Sequence, residues 1–255
     1  MGNDEQIAVI AKKLKQLINA QIFRRRYKVL GRVACLGSDV YALRYQRKYG
    51  FRLINQQKAR VDLWLEWLSG KTKPKPEMLK GHMSRQDVYP LIENQSTLPW
   101  LAESEFEFLL MDSFSELTDQ KFTHKKEKWS FCCHYSDLEH SVAFEDEFET
   151  HGLLPIMEIE TMYERFFNWF EKEHPGKKVV FIHFPTALDE RTLYKERSKE
   201  ILRVMSELQT IKPFINNLAV DDNLVEWHEH DRFPYHFSMS TNLAFVDRWD
   251  KLSIW

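Results

Sequence analysis

The chain has 255 residues, 43% of them hydrophobic, which fills one sizeable core and fits one large domain better than two. A net charge of -2 gives no global field toward nucleic acid or acidic membranes. No apolar run approaches the ~20 residues that span a bilayer. The opening MGNDEQIAVIAKK puts acids ahead of a short apolar run, unlike a secretory signal, and has Gln6 where a myristoylation signal has Ser or Thr. Three cysteines, Cys35 and the adjacent Cys132 and Cys133, make no disulfide framework, so a reducing cytoplasm is the expected compartment.

In chain order, Ile7, Ile10, Leu14, Leu17 and Ile18 recur at helical spacing, predicting an N-terminal amphipathic helix within residues 1–26. It is expected to pack on the main domain; its lysines also suit peripheral contact with a membrane surface. Tyr27 to Leu36 reads as a strand, with Cys35 as a buried thiol in it, and Val40, Leu43 and Tyr45 as one face of a helix. Between them stands Gly37-Ser38-Asp39. Ser38 there is either a helix cap worth about 1 kcal/mol or a nucleophile presented beside free backbone N–H groups.

Asn55 to Ser69 predicts a helix stopped by Gly70. A proline-rich, charged loop follows, then a short helix over Arg85 to Asn94. Phe106 to Asp112 reads as a buried strand ending in an acid, and residues 119–152 as irregular. Next come a helix from Ile156 to Lys172, a strand from Lys177 to Phe184, a helix from Asp189 to Leu208 and a short strand from Phe214 to Val220. Strands alternating with helices predict an α/β fold, a mainly parallel sheet covered on both faces. Ligands of such sheets bind at the carboxyl ends of the strands, where Ser38, Asp112 and His183 to Thr186 all fall.

His236, flanked by Pro234, Tyr235 and Phe237, suits a neutral base better than His228 and His230 in their charged loop. His183 is either a core histidine or a pocket residue. Arg44 and Arg85 are candidates for an anionic group on a substrate, if not salt-bridged at the surface. Cys132-Cys133-His134, with His124 and His140 near, lacks the Cys-x2-Cys spacing of zinc sites, and no phosphate-cradling glycine motif is present. No metal or other cofactor is expected.

Three pieces, Leu36-Gly37-Ser38, Leu110-Met111-Asp112-Ser113 and Pro234-Tyr235-His236-Phe237, resemble the SGNH/GDSL hydrolase superfamily, most nearly the SGNH-like proteins of bacterial surface-polysaccharide loci. The resemblance covers roughly residues 28–245. It implies a three-layer α/β/α domain over 27–255, with Ser38 as nucleophile and His236 as base. The implied reaction is ester hydrolysis or O-acyl transfer on an acylated carbohydrate, with a glycan substrate and an acyl donor as partners. The superfamily usually has an Asp three residues before its His, where this chain has Phe233. Asp231 is then the expected orienter of His236; a Ser-His dyad or a catalytically dead site are the alternatives. The oxyanion-hole Asn motif is not recognisable, leaving Asn94 and the backbone around Gly81 as stand-ins. Gly37, Asp39, Arg44, Arg85, Asp112 and His183 are the expected substrate-binding residues. A non-catalytic carbohydrate-binding or assembly protein, or a glycosyltransferase, is the rival reading.

Overall fold

The structure is a computed structural model that describes residues 27–45, 50–56, 58–70, 74–93, 95, 101 and 106–252. The expected N-terminal helix and Asn94 lie outside the described residues. The strands are β1 (Tyr27–Val33), β2 (Gly50–Gln56), β3 (Phe108–Asp112), β4 (Gln120–His124), β5 (Ser130–Cys133), β6 (Phe148–Gly152), β7 (Lys178–Ile182) and β8 (Ile215–Leu218). The helices are α1 (Cys35–Tyr45), α2 (Val61–Leu68), α3 (Tyr89–Glu93), α4 (Phe114–Thr118), α5 (Val142–Glu147), α6 (Ile156–Glu173), α7 (Thr192–Ile211) and α8 (Met239–Asp250).

Five strands pair in the order β2-β1-β3-β7-β8, all parallel. The central strand β3, FLLMD, is buried along its whole length, as a strand covered on both faces must be. Its register sets Phe108 beside Lys178 and Asp112 beside Ile182. Alternate side chains then feed two helical layers. On one face the Phe108 ring meets Trp249 of α8, which also meets Tyr45 of α1. On the other, Phe181 packs edge-on to Tyr163 of α6, and Phe166 of that helix meets Trp64 of α2. Helix α6 exists because Ile159, Tyr163, Phe166, Phe167 and Phe170 form one buried stripe. The result is a three-layer α/β/α arrangement, and no helix among the described residues is long and apolar enough to cross a membrane.

Several local expectations are corrected. The first strand ends at Val33 and its helix begins at Cys35, so the hinge is Ala34 and not Gly37-Ser38-Asp39. Part of the stretch read as a helix from Asn55 belongs to β2, and α2 starts only at Val61. Residues 119–152 hold a second, antiparallel sheet in the order β5-β4-β6. Phe122, Phe131, Trp129, Phe144 and Phe148 form its own aromatic core, with Leu79, Met83, Val88 and Ile92 packed on it from the segment after α2. That small sheet stands beside the carboxyl edge of the large one.

Candidate functional site

The order β2-β1-β3 means that the chain runs one way from β1 to β2 and the other way toward β3, so the crevice between β1 and β3 is where such sheets bind ligands. The two strand ends are tied there. Asp112, 4% exposed at the end of β3, accepts from the Ala34 N–H at 2.5 Å through Oδ2 and from the Phe114 N–H at 3.2 Å through Oδ1. Burial pushes its carboxyl up to about 7, although these donors and Arg32 pull the other way. A Cβ on Gly37 would lie 2.6 Å from Val33 Cβ and 3.3 Å from Asp112 Oδ2. Gly37 therefore lets the first turn of α1 settle onto the strand end. Both residues build the turn beneath the crevice, and neither is among the residues that line the cavity above it.

A cavity of about 500 Å³ opens above this turn. Cys35, Phe114, Tyr235, His236 and Asp231 line it from the large sheet, and Lys58, Arg85, His134 and Asp137 form the side nearer the small one. Lys58 bonds Asp137 at 2.8 Å and Asp119 at 3.2 Å, pinning the two sheets together. Its backbone is left-handed (φ 53°), a conformation that costs a non-glycine residue about 1–3 kcal/mol and is held here by its buried ion pairs.

The loop carrying His236 is built by its own hydrogen bonds. Asp231 Oδ1 accepts from the Phe233 N–H at 2.8 Å, an Asx turn, while Asp231 Oδ2 bonds His236 Nδ1. The His236 bond holds the Asp231 carboxyl below the usual range. Phe233, at the position where an acid was expected, packs its ring against the imidazole at 4.9 Å. Tyr235, buried, anchors the same loop: its hydroxyl donates to Asp189, which also holds Arg191 through both carboxylate oxygens.

Cys35 is not the strand thiol that the sequence predicts but the first residue of α1, and it lines this cavity. Its Sγ lies 3.9 Å from the Tyr235 carbonyl oxygen, one residue before His236. Burial and then the Asp112 charge push the thiol up to about 11, against the pull of the Leu36 and Cys35 backbone N–H groups. A thiol at a helix start, an imidazole and a carboxylate thus share one cavity, with the Cys35 and Leu36 N–H groups of the first turn of α1 beside the sulfur.

Of the other expected residues, Arg85 alone also lines this cavity. Ser38 sits one turn into α1, its N–H bonded to the Ala34 carbonyl at 3.2 Å, so it is no cap, and it is not among the residues lining the cavity. Asp39 is exposed and lines a shallower hollow with His228 and Asn242, within electrostatic reach of His236. Arg44 pairs with Asp250 at 2.9 Å and stacks over Tyr45, a tie between α1 and α8. Arg85 does line the cavity, bonded to Asp87 at 2.7 Å. His183 lines a different cavity, described below. Gly81 belongs to a short 3-10 helix over Pro76–His82. Cys132 and Cys133 are buried in β5, and His134 turns its Nδ1 to the Ser136 N–H.

Among solved structures, the chain is similar to a protein from Streptococcus pneumonia described as a platelet activating factor, at 9% identity and a TM-score of 0.43 over the whole of both chains. It is also similar to a protein from Bacteroides ovatus described as a GDSL-like lipase, at 11% identity and a TM-score of 0.42, over 88% of this chain and 52% of that one. No family model matches the chain, and no curated protein sequence matches it.

Proposed function

We propose that the protein transfers or hydrolyses an acyl group carried as an ester, with Cys35 as the nucleophile in place of Ser38, His236 as the base and Asp231 as its orienter. One observation carries this reading: the thiol at the start of α1 opens into the same cavity as an imidazole whose Nδ1 is held by a carboxylate. With Asp231 on Nδ1–H, Nε2 is the lone-pair nitrogen and takes the proton from Sγ as sulfur attacks the acyl carbonyl. The protonated thiol at rest makes this base necessary. The developing oxyanion meets the free N–H groups of the first turn of α1, where one lost donor costs roughly 3 kcal/mol. Collapse expels the alkoxide, which takes the proton back from His236 Nε2 and leaves a thioester on Cys35. Water or an acceptor hydroxyl, deprotonated by the same nitrogen, attacks the thioester; its collapse expels the Cys35 thiolate, which recovers the proton.

An acylated carbohydrate is the substrate class we favour. Phe114, Phe233 and Tyr235 offer apolar ring faces beside the donors of Arg85 and Ser136, the mixture that a sugar's C–H faces and hydroxyls require. The resemblance of the segments around Asp112 and His236 to SGNH-like proteins of polysaccharide loci agrees with it.

The test is hydrolysis of p-nitrophenyl acetate and an acetylated sugar by wild type and by Cys35→Ala, His236→Ala and Ser38→Ala. We expect Cys35→Ala to abolish turnover, His236→Ala to lower it about 10²–10⁴-fold, and Ser38→Ala to keep it. Loss in Ser38→Ala with retention in Cys35→Ala would return the nucleophile to the serine.

A further inference from the structure

The cavity that takes His183 lies at the carboxyl ends of β7 and β8, apart from the one that holds Cys35 and His236. It measures about 540 Å³, within the range of small-molecule sites. His183 follows β7, its N–H bonded to the Leu218 carbonyl at 2.8 Å. Its Nε2 lies 2.9 Å from Ser198 Oγ on α7. Its Nδ1 is buried and meets no hydrogen-bond partner among the described residues. An N–H there would be a buried donor without an acceptor, so the imidazole proton belongs on Nε2 and is donated to Ser198 Oγ. The Ser198 hydroxyl hydrogen then has, among the described residues, only the Phe184 carbonyl at 3.5 Å, and is free for a better acceptor. Lys195 and Lys199, one turn apart on α7, flank Ser198 on the same cavity wall, and neither makes an ion pair among the described residues. Arg191, Arg197 and Arg203 of the same region, by contrast, are all engaged.

We propose that this cavity is a second binding site, for the phosphate group of a small phosphorylated molecule, held by Lys195, Lys199 and the Ser198 hydroxyl. Lysines act as point charges on a tetrahedral anion, whereas a planar carboxylate is better met by an arginine fork, which this wall lacks. Asp222 and Asn223, from the segment after β8, also line the cavity, where the carboxylate and amide suit the hydroxyl groups of the organic part and oppose a second anion. Burial keeps His183 neutral, with its imidazole down to about 4, so it orients the serine and adds no charge.

The experiment is an NMR titration of the full chain with pyrophosphate and inorganic phosphate at constant ionic strength, with citrate as the carboxylate control. Saturable shifts are expected at His183 and at the Ala219 and Val220 amides. In Lys195→Ala/Lys199→Ala, where Lys195 is half-buried and Lys199 exposed and circular dichroism checks the fold, affinity should fall about tenfold or more, with Lys195→Gln alone falling part of the way. The proposal is overturned by a titration that does not saturate, by equal affinity in the double variant, or by citrate binding as tightly as pyrophosphate.

Discussion

A methyl group at Gly37 has no room, because Val33 Cβ and Cγ1 stand 2.6 Å from where it would lie. Gly37→Ala is expected to cost about 1–3 kcal/mol, the usual cost of overpacking a fitted contact. Gly81→Ala, where a Cβ would meet nothing within 4 Å, is the control and should stay within about 0.5 kcal/mol. Urea melts of the two variants measure both. Asp112 supplies a second test. Its folded-state value of about 7 lies above the ~3.9 of an unfolded Asp. The folded chain therefore binds the extra proton, and the stability it lends is complete below about pH 4 and is lost as pH rises through about 7. A carboxyl ¹³C titration of Asp112 should show a midpoint near 7; one at or below the ordinary carboxylate value would mean that its two N–H donors outweigh burial. At this scale the sequence was partly legible. His236 and Asp231 stand out by type and by their turn-rich surroundings, and the structure does join them. The place of Cys35 at a helix start is hidden in the sequence because the apolar run of β1 continues through Ala34, Cys35 and Leu36, so nothing in the residue types marks where strand becomes helix.

The elements that were easy to read are those whose own periodicity decides their form. The stripe from Ile159 to Phe170 and the unbroken run of β3 need no partner to be recognised. Strand β2 is different: GFRLINQ carries a charge and two amides, and becomes a strand through its parallel pairing with β1. The small sheet likewise depends on aromatic contacts between residues far apart, such as Phe122 with Phe144 and Trp129 with Phe148. Helix α8, absent from the sequence reading, is announced only by its Ser238 cap, whose Oγ accepts the Thr241 N–H. What locks β1, α2 and α4 together is ionic. Arg32 donates to Glu116, to the Ala59 carbonyl at 2.5 Å and to the Asp112 carbonyl at 3.2 Å, and Glu116 accepts the Val61 N–H at 2.8 Å. Both side chains are essentially buried. Replacing one alone leaves a buried charge unpaired, so Arg32→Leu should cost about 3–5 kcal/mol. The double variant Arg32→Leu/Glu116→Leu should recover much of that loss, and a double-mutant cycle by chemical denaturation checks it. Additive losses would mean that the two ions do not depend on each other.

At the scale of the molecule, the sheet order does what no single motif can. It brings the end of β1, the end of β3 and the late loop of His236 to one crevice, and Lys58 and Arg85, with His134 and Asp137 from the inserted segment, form its far side. The parallel α/β class was legible from the alternation of strands and helices; the insert was not, and with it went the His134, Ser136 and Asp137 part of the cavity wall. The central claim, that this crevice presents Cys35 as an acyl-accepting thiol, is tested most directly by trapping the intermediate. The full chain is mixed with p-nitrophenyl acetate, quenched in acid within the first turnover, and the acetylated residue is located by peptide mass mapping. We predict acetyl on Cys35, no label in Cys35→Ala, and much slower labelling in His236→Ala. Acetyl on Ser38, or wild-type turnover with Cys35 never modified, would contradict the account.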